Sequence, residues 1–205
     1  INDGTVLGPK MFDMYSTPGW KYSSNPTSLG NINDKLYFTA TDATGLGLFN
    51  TDGDTFTKLV AISDSNAQIL GYTANKAYFA ITDATHGKEL WSVDLTATTP
   101  TLTLTKDILT GSGSALAGYN LNQQMIGDKI LFNAYTSDTA QGWFISDGTE
   151  AGTVQLATSL PTDKAIVGNK VFFANSAGVY SADTSAATVS RSEEHTSELQ
   201  SRQVI

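Results

Sequence analysis

Aspartates recur in this chain at the ends of short apolar runs, where oxygen ligands for calcium would collect. The recurring residues are Asp52, Asp94, Asp147 and Asp183, and Asp54 lies close to the first of them. Asp52, Asp54 and Asp147 are therefore the candidate metal ligands, and calcium is the one cofactor that the pattern allows. Calcium prefers about six to eight oxygens. The simpler interpretation is that each aspartate accepts backbone N–H bonds within its own turn.

The residue types for hydrolysis are present but badly placed. His86 is accompanied by no cysteine and no Gly-x-Ser-x-Gly motif, so the signature of a nucleophilic site is missing. A glycosidase needs two facing carboxylates, whereas Glu89 and Glu150 stand at unrelated positions of the chain. A sialidase-like site needs arginines for its substrate carboxylate, and residues 1–190 contain none. We therefore expect no catalytic residue, and His86 is interpreted as a loop histidine.

Three aromatic residues near the N-terminus are the candidate ligand-binding residues. Tyr15, Trp20 and Tyr22 are flanked by glycine, serine and proline, and exposed rings in such a segment can stack on sugars. The alternative is that these rings pack against the neighbouring β-strands, as part of a long connecting segment that covers them. Residues 111–114 read GSGS and are interpreted as a flexible surface loop, because no helix start follows that would make a phosphate site.

Composition limits the partners. The chain of 205 residues has a net charge of −8 and a pI near 4.5, which argues against a nucleic-acid partner, since phosphate binding needs clustered lysine and arginine. It has no cysteine, and hence no disulfide, and no apolar run of membrane-spanning length, so we expect no membrane insertion.

The elements that must position these residues repeat along the chain. Four times in the chain, a lysine preceded by Asn or Asp begins a run of apolar and aromatic residues. A second apolar run follows each time and ends at one of the recurring aspartates. The four lysines are Lys35, Lys76, Lys129 and Lys170. Periods of roughly 40 to 50 residues are typical of propellers and arrays. The lysines would attract an anionic partner, or, as we expect, keep the ammonium in water while the stem covers apolar surface.

Each unit reads as four short strands separated by turn residues, with no apolar period typical of a helix. The sequence predicts an all-β fold, a β-propeller-like array of four-stranded antiparallel blades. The array is incomplete: about four blades in an open arc. A blade remnant spans residues 1–29, and the blades span approximately residues 30–64, 65–110, 115–160 and 161–190. The Leu, Trp and Phe positions are the expected core between blades.

Two resemblances follow from these motifs. Residues 147–153 (DGTEAGT), residues 89–91 (ELW) with Asp94, and residues 35–38 (KLYF) resemble the ELW-x-x-DGT repeat family. That resemblance implies a β-propeller-like segment of a secreted or surface-exposed bacterial protein, and it implies no common reaction. Residues 191–201 (RSEEHTSELQS) resemble a translated sequencing adapter, so residues 191–205 are expected to be a non-native or disordered tail, and the chain a fragment.

The expected function is that of a non-catalytic extracellular or cell-surface module for binding, adhesion or scaffolding. Its expected partners are the remaining blades of its own parent chain, and a carbohydrate or a surface protein. The alternative is a fragment of a secreted propeller hydrolase whose catalytic residues lie outside this chain. Arginine, glutamate and histidine gathered at one loop of further blades would indicate that alternative.

Overall fold

Regular structure in this protein is β-strand throughout the part that can be described. The computed structural model describes Met14 and residues 23–118, 121–158, 163–175 and 178–184. Within these ranges it contains strands and turns and no helix. Accordingly, no helix that could cross a membrane occurs in the described residues. The chain divides into two compact units, Ile1–Ser65 and Asn66–Ile205.

The first unit contains one antiparallel sheet, sheet 1, in the order β1-β2-β3-β4. Its strands are β1 (Thr27–Ile32), β2 (Lys35–Asp42), β3 (Gly45–Thr51) and β4 (Phe56–Ala61). Asn33 and Asp34, at φ of 50° and 62°, form the tight hairpin between β1 and β2. The strand begins at Thr27, so residues 27–29 belong to this sheet and not to the predicted remnant. The pairing register shifts between Ser28 and Gly30. This irregularity and the glycine interrupt the alternation of apolar and polar residues by which a strand is predicted from sequence.

The described residues of the second unit form three antiparallel sheets. Sheet 2 comprises β5 (Gln68–Tyr72), β6 (Lys76–Asp83), β7 (Gly87–Asp94) and β8 (Leu102–Lys106). Sheet 3 comprises β9 (Gln124–Ile126), β10 (Lys129–Tyr135), β11 (Gln141–Ser146) and β12 (Val154–Ala157). Sheet 4 shows β13 (Asp163–Val167), β14 (Lys170–Asn175) and β15 (Gly178–Asp183) within the described residues. The outer strand predicted at residues 186–189 lies outside them.

The recurring lysines and the recurring aspartates lie opposite each other on paired strands. Each recurring lysine is the first residue of the second strand of its sheet. Lys76 pairs with Asp94, and Lys170 pairs with Asp183. The all-β prediction is thus confirmed, and so is the antiparallel four-stranded unit for sheets 1 to 3.

Apolar side chains on alternating strand positions form two cores within the second unit. Tyr78 and Leu90 of sheet 2 pack with Phe132 and Phe144 of sheet 3. On the opposite face of sheet 3, Trp143 packs on sheet 4, and its ring lies 6.0 Å from that of Phe173. Because successive residues of a strand point to opposite faces, Trp143 and Phe144 serve different cores. The prediction that aromatic positions form the core between sheets is confirmed here.

Candidate functional site at the Glu89 loop

The predicted metal ligands are engaged in their own turns. Asp147 Oδ1 accepts hydrogen bonds from the N–H and Oγ1 of Thr149, at 2.8 and 2.7 Å. Asp52 Oδ1 accepts from the N–H groups of Asp54 and Thr55, both at 3.0 Å. The N–H groups of Thr55 and Asp54 lower the pKa of Asp52, because they stabilise the carboxylate. These turns are closed by their aspartates.

The structure does not gather the predicted metal ligands into a cluster. Among the described residues no group of three or more histidine, aspartate or glutamate side chains is placed to hold a metal ion. The predicted ligand-binding residues, Tyr15, Trp20 and Tyr22, lie outside the described residues.

Two of the recurring lysines of the second unit, Lys76 and Lys129, direct their ammonium groups to backbone carbonyls, so the expectation of a solvated ammonium is wrong for these two. Lys76 Nζ donates to the backbone carbonyl of Asp147 in sheet 3, at 2.7 Å. Lys129 Nζ donates to the carbonyl of Thr184, just beyond the end of sheet 4. The physical reason is that the turn after the third strand presents carbonyls without a strand partner, within reach of the neighbouring sheet.

The site that the structure brings together is built around Glu89, whose only chemical role considered from the sequence was that of a glycosidase carboxylate. Glu89 lies on β7, and its side chain is completely buried. Its Oε2 accepts from the N–H of Ile108 at 3.1 Å, and its Oε1 accepts from the N–H groups of Leu109 and Ala115, at 3.3 and 3.1 Å. A buried carboxylate with three backbone donors fixes the segment that supplies them.

Glu89 lies where sheets 1 and 3 have glycine. The corresponding residues there are Gly47 and Gly142, and the register shift that follows this position occurs in all three sheets. A Cβ at Gly142 would lie 2.5 Å from the carbonyl oxygen of Ala157, and one at Gly47 would lie 3.0 Å from that of Val60. In sheet 2 the glutamate at this position instead accepts hydrogen bonds from the backbone of the segment that follows β8.

The Glu89 loop, residues 107–116, joins sheet 2 to sheet 3. Ser114 Oγ accepts from the N–H of Lys88 at 2.9 Å, and the N–H of Leu116 donates to the carbonyl of Lys88 at 3.0 Å. The N–H of Tyr135 in sheet 3 donates to the carbonyl of Ala115 at 2.8 Å. Only the tip of residues 110–112 is exposed, so the prediction of a flexible surface loop for residues 111–114 is wrong for its second half.

A second pair of charged groups lies beside the loop. His86 Nδ1 lies 2.8 Å from Asp83 Oδ2, and the N–H of His86 donates to Asp83 Oδ1 at 2.6 Å. The hydrogen bond that the His86 ring donates to the Asp83 carboxylate raises the pKa of His86, and the negative charges of Asp107 and Glu89 add to that effect. Asp107 accepts from the N–H of Gly111 through Oδ2, at 3.3 Å, while its Oδ1 is buried and receives no hydrogen bond.

The Glu89 carboxyl can gain and lose a proton, but it is enclosed by the protein. Burial raises the pKa of Glu89 to about 7, even though its backbone donors favour the carboxylate. Both carboxylate oxygens are occupied by main-chain N–H groups, and none of the side chain is exposed. A carboxyl held in this way can exchange a proton, but it has no open side on which to place a substrate.

Two signals in the sequence could have located this site. Glutamate stands at Glu89 where the other units have glycine, at Gly47 and Gly142. The interval from Lys76 to Lys129 is also longer than the intervals between the other recurring lysines, and the surplus residues form the loop. Together these two departures identify the repeat in which an acidic side chain and the inserted loop bind each other.

Comparisons with known proteins give partial structural likeness. No protein-family model and no curated protein sequence matches the chain. A structure from a study of two prolyl endopeptidases matches 77% of this chain and 24% of that one, with 18% identity and a TM-score of 0.39. An uncharacterised protein of Listeria monocytogenes matches 82% and 55%, with 14% identity and a TM-score of 0.41. TolB from Acinetobacter baumannii matches 79% and 42%, with 16% identity and a TM-score of 0.40.

The chain therefore spans 24% to 55% of the length of these three structures. At TM-scores below 0.5 the likeness does not extend to a shared activity, substrate or partner.

Proposed function

We propose that this chain is a segment of an extracellular or cell-surface β-propeller-like protein and acts as a non-catalytic binding, adhesion or scaffold module. The observation that carries the proposal is the use of its recurring charged residues. The aspartates close turns, as Asp147 does with Thr149, and the lysines tie one sheet to the next, as Lys76 does with Asp147. Residues that recur in every unit thus stabilise the array, as expected of a repeat scaffold.

The propeller-like arrangement is supported by the succession of sheets in the second unit. Sheet 3 buries one face against sheet 2 and the other against sheet 4, so each sheet completes the core of its neighbour. Such face-to-face repetition of four-stranded antiparallel units is the construction principle of propeller blades. The resemblance to the ELW-x-x-DGT family adds the secreted or cell-surface location to the proposal.

A carbohydrate is the first partner to test, because Tyr15, Trp20 and Tyr22 offer rings in a segment rich in glycine, serine and proline. The experiment is an array of neutral and sialylated oligosaccharides probed with the full chain and with Trp20→Ala. Binding that the substitution reduces supports the proposal. Binding unchanged in Trp20→Ala contradicts the role of this segment, and no binding to any oligosaccharide leads to the same conclusion.

The hydrolase alternative drawn from the sequence places the catalytic residues outside this chain. A second candidate function is hydrolysis at a site within the chain itself. Within the described residues the observation that favours it is the Asp83–His86 pair, since an aspartate orients histidine in many hydrolases. Chromogenic ester, glycoside and peptide substrates test it on the same preparation. Turnover that is lost in His86→Gln would overturn the non-catalytic proposal, and turnover at the level of buffer supports it.

A further inference from the structure

One face of sheet 4 is uncovered. Val167 and Val179 are each 66% exposed, although both are large apolar residues on strands. Phe172, paired with Ala165 in β13, lies on the same face. Residues of this face (Ala165, Phe172, Ala174 and Val179) and of the opposite face (Lys164 and Phe173) together line a recess of about 170 Å³. Exposed apolar patches of this kind mark sites of association.

The repeat register shows what this face is built to contact. When Lys170 is matched with Lys129, Val167 and Phe172 correspond to Ile126 and Leu131 of sheet 3. Val179 corresponds to Trp143, because each pairs with the residue four positions after the lysine of its sheet. In sheet 3 these three residues are buried, at 6%, 0% and 4% exposure, against sheet 4. The exposed face of sheet 4 is therefore the counterpart of a surface that, one unit earlier, receives another antiparallel sheet.

Lys170 also indicates that this face is built to contact another antiparallel sheet. Its counterparts, Lys76 and Lys129, donate to turn carbonyls of the next sheet. Lys170 itself is exposed. A sheet packed on this face would have to bring a turn carbonyl to the Lys170 ammonium, as Asp147 does for Lys76.

A surface with the complementary register is present on sheet 1. Leu36 and Phe56 are 43% and 38% exposed, and they share a face with Phe38 and Phe49, whose rings stack at 5.6 Å. The corresponding residues of sheet 3 for Leu36, Phe38 and Phe49 are Ile130, Phe132 and Phe144, which pack against sheet 2. The turn that follows β3 at Asp52 supplies the carbonyls for a lysine.

We propose that sheet 4 of one copy of this chain binds sheet 1 of a second copy, head to tail. By analogy with the contact between Trp143 and Phe173, Val179 of one copy meets Phe38 of the other, and Lys170 donates to the turn at Asp52. The two surfaces differ, so the interface is heterologous and produces rings or chains of copies and not a closed symmetric pair. This inference rests on the repeat architecture of the proposed function, and it is independent of any sugar ligand.

Disulfide trapping tests the register directly, because the chain contains no cysteine. Single variants Val179→Cys and Phe38→Cys are mixed in equal amounts and oxidised, with Thr139→Cys, an exposed hairpin residue, as the matched control partner. The expected product is a mixed Val179–Phe38 dimer that exceeds every dimer involving Thr139 by about tenfold or more. A dominant dimer between two Val179→Cys copies overturns the head-to-tail arrangement, and equal yields for all pairs overturn specific association.

Sedimentation of the unmodified protein provides the second measurement, since Phe38→Cys removes a stacked ring and is the variant most exposed to misfolding. The average mass should rise with concentration, and the double variant Val167→Lys/Val179→Lys should weaken this association by about tenfold or more. A single monomer mass at all concentrations overturns the proposal and assigns the face to another occupant, such as a further unit of a longer chain. Self-association without oligosaccharide binding would overturn the ligand proposal alone, and the reverse result would overturn this inference alone.

Discussion

The ammonium group of Lys76 donates a hydrogen bond to the backbone carbonyl of Asp147, 2.7 Å away in the neighbouring sheet. Lys76 also pairs across strands with Asp94. Lys76 is thus paired across strands with the recurring aspartate of its own sheet, and it is hydrogen-bonded to the backbone of the recurring aspartate in the neighbouring sheet. Lys129 repeats the second connection with the carbonyl of Thr184. In sheets 2 and 3, therefore, the recurring lysine links its own sheet to the next one.

Replacing Lys76 by methionine should lower the stability of the second unit. Methionine keeps most of the apolar stem but cannot donate, and a hydrogen bond to a charged group contributes about 1.5 to 3 kcal/mol where burial is complete. Because Lys76 is half-buried, we expect a loss of about 1 kcal/mol in urea unfolding. Lys170→Met, at the same register but exposed, should change the free energy of unfolding in dilute protein by less than about 0.5 kcal/mol. Equal losses in both variants would contradict the link.

The sequence was sufficient to predict the sheets because each unit repeats the same local signals. Lys76 begins the aromatic second strand and Asp94 ends the third, so one pattern defined both strands and the turn between them. The link from Lys76 to Asp147 was not predictable. It depends on how one sheet rests on the next, and a side chain with a long stem reads from sequence as a solvated lysine.

Above the raised pKa of Glu89, about 7, where the side chain is a carboxylate, Glu89→Gln should destabilise the protein more than a surface change of the same type. Gln offers one carbonyl oxygen, and its NH2 group would face N–H donors, leaving at least one of Ile108, Leu109 and Ala115 unpaired. An unsatisfied buried donor costs about 1 to 3 kcal/mol. The control, Glu150→Gln in an exposed turn, should change stability by less than about 0.5 kcal/mol. Amide hydrogen exchange at residues 108, 109 and 115 should accelerate; unchanged protection there would contradict the role of Glu89.

Glu89 shows where prediction from the sequence ends. Its three backbone donors come from residues 108–115, at a distance along the chain that no local pattern connects to β7. The same residue in an ELW motif is ordinarily one more polar position on a strand, alternating with buried ones. It is completely buried and accepts three hydrogen bonds from the loop, whereas its counterparts in sheets 1 and 3, Gly47 and Gly142, have no side chain that could do so.

Stability should fall as the pH rises from about 5 to about 8. The pKa of Glu89 is raised from 4.5 to about 7 in the folded protein. Its contribution is therefore fully present below about 4.5 and is lost as the pH rises through 7. The pKa of His86 is also raised above 6.5, through its bond with Asp83, so its contribution is lost in the same direction. Urea midpoints measured across this range check the slope.

Glu89→Gln is the matched variant for this pH series. It should flatten the part of the slope below about pH 7, while the part due to His86 is kept. His86→Gln should do the opposite. Stability that increases from about pH 5 to about pH 8 in the unmodified protein would show that the carboxylate form of Glu89 is the favoured one.

Removal of residues 191–205 should leave the folding of the remaining chain unchanged. This segment lies outside the described residues, and its sequence resembles a translated adapter and not the repeat. The truncated and full chains should have free energies of unfolding in urea that agree to within about 0.5 kcal/mol, and the same β-sheet circular dichroism. A loss of several kcal/mol on truncation would show that the tail is a native part of the fold.

Asp147 should act through its hydrogen bonds and not through a metal ion. Asn retains a side-chain oxygen for the N–H of Thr149, which Ala does not. We therefore expect Asp147→Ala to cost about 1 kcal/mol, as loss of a side-chain cap does, and Asp147→Asn to cost less. Addition of about 5 mM calcium should not shift the melting temperature of either variant or of the unmodified protein, since a ligand that binds only the folded state must raise it. A calcium-dependent rise that Asp147→Asn abolishes would instead make this turn a calcium site.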